Sequence, residues 1–236
     1  MQGSEHGILK NPVDRVKLTK TVALRFILIL LLFGLMFFWP AGTFRYWQAW
    51  TYIAILFIPM LSVLVYFLRK NPEFLERRMR TKEKERKQKW IVGLSLPAFI
   101  GTFLLPGFDR RYGWSHVPPF VIIIADIILL AAYGLGVLVM RENPYASRVV
   151  EVEENQKVIS TGPYAVIRHP MYLTGLILYL LTPLALGSYW AVLPALLLIL
   201  VYVARIRNEE KVLAEKLPGY GEYLQRVRSR LIPGIW

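Results

Sequence analysis

Arg205 and Glu209 stand four residues apart in the run Arg-Ile-Arg-Asn-Glu-Glu that follows the last long apolar stretch of the chain. On a helix this spacing puts a guanidinium and a carboxylate on one face, about one turn apart. Such a pair can take a ligand carrying both charges; the plain alternative is a helix-end salt bridge beside a lipid-facing arginine. Upstream, residues 162–175 read Gly-Pro-Tyr-Ala-Val-Ile-Arg-His-Pro-Met-Tyr-Leu-Thr-Gly, and include one of only three histidines in the chain. Pro163 and Pro170 fix φ and push Gly162 and His169 away from helical backbone, which predicts a bent, rigid link ending where the next apolar run begins. Irregular backbone at membrane depth is tolerated only where protein covers it or where it lines a cavity. The link is therefore expected to line a pocket.

Other chemistries find little support. With no cysteine there is no disulfide, no thiolate nucleophile and no thiolate metal site. The site region holds one histidine and no ligand spacing of the usual kind, so no metal is expected. No Ser-His-Asp arrangement is visible. Gly134 and Gly136 sit inside an apolar run and follow no strand, so they read as helix packing and not as a dinucleotide loop.

The elements that must position these residues follow from the hydropathy. Of 236 residues 55% are hydrophobic, and the formal charge of +13 is confined to blocks between apolar runs. This predicts an all-α, polytopic transmembrane helical bundle of about six spans. Spans are expected at 22–39, 50–68, 90–105 (short, broken by Pro97) and 117–140, forming an N-terminal transmembrane region over 1–140. The first is read as a retained span rather than a cleaved signal. Residues 171–203 are apolar for about 50 Å of helix at ~1.5 Å per residue, too long for one crossing of ~30 Å. With Pro183, Gly187 and Ser188 near its middle, this run is expected to be a helical hairpin, followed by a polar tail over 204–236. Asp126 inside the fourth span is a functional candidate by position, with a structural role, bonding a neighbouring helix or facing water near one membrane surface, the favoured reading.

Six spans put 26 of the 29 Lys and Arg on one side, leaving only Arg45, Arg110 and Arg111 opposite. By the positive-inside rule the rich side, with both termini, is cytoplasmic. The basic loop at 69–89 is expected to be solvated or to touch anionic lipid; a nucleic-acid partner is not expected.

The 162–175 motif, the apolar hairpin, Arg-Ile-Arg-Asn-Glu-Glu, then Gly-Tyr-Gly-Glu-Tyr at 219–223 and Arg-Leu-Ile-Pro at 230–233 together resemble the C-terminal half of the isoprenylcysteine carboxyl methyltransferase family. That family is related to the phospholipid methyltransferases among integral-membrane methyltransferases, and the resemblance covers residues 143–236. It implies S-adenosyl-L-methionine as cofactor, held in a cytoplasmic cofactor pocket made by the segment before the hairpin and the tail after it, and a catalytic region over 141–236. Carried over, Gln156, Lys157, Val158, Ile159 and Tyr164 would line the cofactor, His169, Pro170, Met171 and Tyr172 would hold it, and Glu209 would bind its amino-acid end. Arg205 would be the catalytic, substrate-binding residue facing a lipophilic acceptor that enters from the bilayer. The implied reaction is carboxyl methylation of a lipid-like or prenylated-cysteine acceptor, with phospholipid or thiol methylation as alternatives. A membrane sterol-type reductase that binds NADPH is the competing class, because it carries a similar Arg-His-Pro-x-Tyr-x-Gly turn.

Overall fold

The computed structural model describes residues 14–79, 86–146, 152 and 155–236, with backbone alone at 86 and 87. Most of the N-terminal tail and the centre of the basic loop at 69–89 lie outside these residues. Eight α-helices are described: α1 Arg15–Ala41, α2 Trp47–Lys70, α3 Pro72–Arg78, α4 Arg86–Tyr112, α5 Pro119–Glu142, α6 Pro170–Ala185, α7 Val192–Lys216 and α8 Tyr220–Arg226. A single 3-10 turn, Gly162–Ala165, interrupts the link between α5 and α6. The described residues contain no strand, as an all-α reading requires.

Four helices, α1, α2, α4 from Gln88 onward and α5, are long and apolar enough to cross a membrane. Only 17% to 33% of their apolar windows is buried inside the protein. Along α1, Leu24, Leu28, Leu31 and Leu35 form one outward stripe, each more than half exposed. In water such surface would oppose folding; against lipid tails it carries no such penalty, and the chain is an integral membrane protein. α6, with 16 residues and about 24 Å of rise, is shorter than a full crossing. α7 is apolar over 192–203 and continues unbroken into the charged segment 205–216.

The hairpin joins α6 to α7 where expected, with Gly187 at φ +77° in the turn. Pro183 lies within α6 and not in the turn. Ser188 in the turn donates to buried Asp109 of α4 at 2.5 Å, and Asp109 also accepts from Ser115 at 2.5 Å. Beside it, the Tyr46 hydroxyl donates to the Leu186 carbonyl at 2.6 Å. These bonds lock the end of the bundle away from the charged tail. The aromatic core of Phe37, Tyr46, Tyr52 and Phe103 lies nearby, between α1, α2, α4 and the hairpin.

One expectation is corrected. The third span is not broken at Pro97: α4 runs through both Pro97 and Pro106 for 27 residues. A proline inside a helix costs about 3 kcal/mol in isolation. α4 is packed against both α1 and α7, and those contacts offset this cost. Its approach to α1 is close, because a Cβ on Gly107 would stand 2.4 Å from Pro40 Cγ and 2.8 Å from the Phe37 carbonyl oxygen.

Gly107→Ala is accordingly expected to destabilise the detergent-solubilised protein by about 1–3 kcal/mol, read as a lowered thermal midpoint. Gly34→Ala on α1, where nothing lies within 4 Å of the added carbon, should not lower it.

Candidate functional site

The link between α5 and α6 begins at Gly162, which takes φ +55°, the left-handed region that a side chain would disfavour. A Cβ there would also press on Glu142 at 3.1 Å, and Glu142 accepts a hydrogen bond from Thr161. The next residues make the 3-10 turn, and Pro170 starts α6 as its first residue, where a missing N–H costs nothing. His169 at φ −126° and ψ 57° is outside the helical region, as the following proline demands.

Backbone groups of this link are satisfied by the C-terminal segment. The Arg168 N–H donates to the Ser229 carbonyl at 2.9 Å and the His169 N–H to the Arg230 carbonyl at 3.0 Å. The side chains converge on Glu210 of α7. Its Oε1 accepts from Arg168 Nη1 at 2.9 Å and stands 3.2 Å from His169 Nε2; its Oε2 accepts from Arg230 Nε at 2.8 Å. Burial by itself would raise the Glu210 carboxyl, but the hydrogen bonds from His169 and Arg230 and the charges of His169 and Arg168 outweigh it. The group is held below its ordinary range.

Beside this cluster opens a cavity of about 640 Å³, within the range of small-molecule sites. Its polar end is lined by Gln156, Lys157, Tyr164, His169, Tyr172, Arg205 and Glu209. Its other end runs into the apolar layer, along Val92, Leu96 and Phe99 of α4 and Leu198 and Val201 of α7. Tyr172, Tyr202, Tyr179 and Phe99 follow one another edge to face, with centroids 5.5–6.0 Å apart, and connect the two ends.

At the polar end the Tyr172 hydroxyl donates to Glu209 Oε2 and accepts from Arg205 Nε at 2.9 Å. Arg205 and Glu209 are thus linked through a phenol and not by a direct ion pair between them. The Arg205 backbone carbonyl accepts from the buried Gln88 side chain of α4 at 3.1 Å, which fixes α7 at this level. Across the cavity, Asn143 donates to the Tyr164 hydroxyl at 3.0 Å, and Tyr223 donates to the Tyr164 carbonyl at 2.8 Å. Burial pushes the Tyr164 phenol up to about 12; the Asn143 hydrogen bond and the Arg78 charge act against that rise, and the Glu209 charge adds to it.

Of the residues singled out from the sequence, Gln156, Lys157, Val158, Ile159, Tyr164, His169, Met171, Tyr172, Arg205 and Glu209 all line the cavity. Pro170 does not; it is buried as the first residue of α6 and shapes the turn. Asp126 is buried in α5 away from the cavity lining, with no hydrogen-bond partner on Oδ1. Gly136 faces Thr174 of α6 in ordinary contact, as helix packing expects, whereas an added Cβ at Gly134 would meet nothing within 4 Å. Sequence reasoning missed Arg78, Asn143, Tyr179 and Tyr202, which also line the cavity. Arg78 sits in a basic block and the two tyrosines in apolar runs, where composition marks nothing. No cluster of three or more metal-ligating side chains occurs among the described residues.

Residues 120–219 match the family model described as phospholipid methyltransferase. The match starts in α5, earlier than the motif resemblance, and ends at Gly219. That description is of a membrane methyltransferase family, related to the group that the sequence resemblance pointed to, and the match covers less than half of the chain. The chain is also similar to the cobalt-zinc-cadmium resistance protein CzcN of Cupriavidus metallidurans. The two are 39% identical over 134 residues, 54% of this chain and 56% of the relative; the match thus spans little more than half of the relative's length.

Because Glu210 has a lowered folded-state pKa, its contribution to stability is present above the ordinary glutamate value near 4.3 and is lost as pH falls through the lower folded value. Glu210→Gln is expected to lower stability at neutral pH by about 3 kcal/mol, through uncompensated buried cations. It should also flatten the acid limb of a thermal-midpoint profile; a variant that keeps the wild-type acid limb would take Glu210 out of that role.

Proposed function

We propose that this chain is an integral-membrane methyltransferase that uses S-adenosyl-L-methionine and methylates a carboxylate on a lipid-like or prenylated-cysteine acceptor. In this reading the cavity and both termini face the cytoplasm. The observation that carries it is the cavity itself. One acid and one arginine, bridged by Tyr172, stand at a polar end that opens into an apolar passage between α4 and α7.

The residues present fit such a cofactor. Its ammonium needs an acid, its adenine needs apolar and aromatic walls, and its sulfonium is favoured by aromatic faces. Glu209, the wall at Val158 and Ile159, and Tyr164 with Tyr172 offer these. When bound, the cofactor supplies an electrophilic methyl group on its sulfonium. Glu209 holds the ammonium end, oriented by the Tyr172 hydroxyl. Arg205, with Nε held by the same hydroxyl, would present its guanidinium edge to the acceptor carboxylate and orient it for methylation. A carboxylate is already deprotonated, so no general base is called for; alignment supplies several kcal/mol of the barrier. The apolar passage takes the acceptor's tail and keeps water from the reacting pair.

The family description favours a second acceptor class, the amine of a phospholipid headgroup. Arg205 would then hold the lipid phosphate, and the same cavity would serve.

Calorimetric titration of the purified chain with S-adenosylhomocysteine and, in parallel, with NADPH tests the class. Binding of the first alone is expected; binding of NADPH alone would make the turn that of a reductase. Glu209→Ala should weaken S-adenosylhomocysteine binding at least about tenfold. Arg205→Ala should leave that affinity within about threefold while methyl transfer to a farnesylated cysteine analogue falls about a hundredfold. Loss of cofactor affinity in Arg205→Ala instead would overturn the division of labour.

A further inference from the structure

We infer that Tyr202 of α7 selects the acceptor: its hydroxyl donates to a carbonyl oxygen that the acceptor carries a few bonds from the group held at Arg205. This rests on the methyltransferase reading above and deepens it, by stating what the acceptor must carry between its charged head and its apolar tail.

Gly175 closes the 162–175 motif, and its missing side chain makes room for Tyr202. A Cβ there would stand 2.5 Å from the Tyr202 hydroxyl oxygen and 3.3 Å from Tyr202 Cζ. The hydroxyl thus occupies space that any other residue at 175 would fill. Tyr172, Gly175 and Tyr179 are spaced i, i+3 and i+7 on α6 and share one face. Tyr172 and Tyr179 line the cavity, so the Tyr202 hydroxyl lies on the cavity face of α6, between them. The ring is held from both sides, edge to face with Tyr172 at 5.5 Å and with Tyr179 at 6.0 Å between centroids.

Neighbouring phenols at the polar end are committed: Tyr172 bonds Glu209 and Arg205, and Tyr164 accepts from Asn143. The Tyr202 hydroxyl makes no hydrogen bond among the described residues, and they do not seal it off, so it opens on the cavity. For the fold a phenylalanine ring would pack as well; the hydroxyl has a use only if a ligand answers it.

Helix geometry sets its depth. Tyr202 precedes Arg205 by three residues, about 4.5 Å along α7, on the side where α7 is apolar. Both side chains touch Tyr172, Arg205 through Nε at 2.9 Å and Tyr202 through its ring. An acceptor with its head at Arg205 and its tail along Val201 and Leu198 passes the Tyr202 hydroxyl just below its head. A carbonyl at that point gains a hydrogen bond, whereas an acceptor without one leaves the phenol desolvated and unpaired. The carbonyl has two chemical sources, the amide of an N-acylated amino acid and the ester of a glycerolipid, one for each acceptor class considered for this site.

Two pairs of acceptors test this, each differing in whether that carbonyl is present: N-acetyl-S-farnesylcysteine against S-farnesylthiopropionate, and diacyl phosphatidylethanolamine against its dialkyl ether analogue. Each is titrated into the S-adenosylhomocysteine complex of the full-length wild type, Tyr202→Phe and Gly175→Ala in detergent. The wild type is expected to bind the carbonyl-bearing member of one pair more tightly, and the pair that responds tells amide from ester. Tyr202→Phe should weaken that member about tenfold while leaving its partner and S-adenosylhomocysteine within about twofold. Gly175→Ala, which puts a methyl group where the hydroxyl stands, should show the same selective loss. The thermal midpoint of ligand-free Tyr202→Phe should match the wild type, because no bond within the protein is lost; a lowered midpoint would give the hydroxyl a structural role and overturn the inference. So would equal loss on both members of a pair, no loss on either, or full selectivity in Gly175→Ala. A wild type that binds S-adenosylhomocysteine but none of the four acceptors would also overturn it and leave the cofactor reading standing. Failure to bind S-adenosylhomocysteine at all would sink the methyltransferase reading, and this inference with it.

Discussion

A single buried carboxylate holds the functional end of this protein together. Glu210 joins α7 to Arg168 and His169 of the link and to Arg230 of the C-terminal segment. Three chain segments far apart in sequence meet at its two oxygens. A buried ion cluster of this kind contributes little net stability compared with well-packed apolar groups, because desolvation consumes most of the Coulombic gain. Its effect lies in directionality. The bent link cannot form a helix through Pro163 and Pro170, so its backbone needs partners from elsewhere, and the carboxylate brings the C-terminal segment to within hydrogen-bonding distance of it.

With Glu210 turned toward the link, Glu209 is left to face the cavity. Adjacent residues on a helix point about 100° apart, so one Glu-Glu pair serves two environments. One carboxylate is enclosed by cations and organises backbone; the other shares the Tyr172 phenol with Arg205. A rigid wall on one side and a ligand-ready acid on the other come from the same helical turn.

The membrane imposes the remaining constraint. Outward faces of α1, α2, α4 and α5 are apolar and must be, because lipid offers no hydrogen bonds. The cavity crosses the boundary between the two solvents, with its charged end at the level where α7 leaves its apolar half and its apolar end between α4 and α7. The proposed function, which brings a charged small molecule to a lipid-like one, needs this placement. The far end of the bundle, pinned by Asp109, Ser115 and Ser188, carries its own polar cluster and no share of that cavity.

Hydropathy is a local property, and what depended on it was legible in the sequence: an all-helical membrane bundle, the hairpin after the motif, and the bend at two prolines whose φ is set covalently. The i, i+4 spacing of Arg205 and Glu209 placed them on one face because helical geometry leaves no choice, and the motif resemblance marked much of the polar end of the cavity. The tertiary structure alone decided how the parts meet. Pro97 breaks the third span on intrinsic propensity, yet α4, packed against α1 and α7, runs through it. Spacing alone pairs Glu209 with Arg205, but nothing local gives Glu210 its role, which exists only because Arg168, His169 and Arg230 arrive beside it. Arg78 reads as one basic residue among ten at 69–89, and becomes a cavity residue only because α3 is seated on α1, α2 and the segment after α5. Contacts between residues that are distant in the chain decide these questions, and no sequence window contains them.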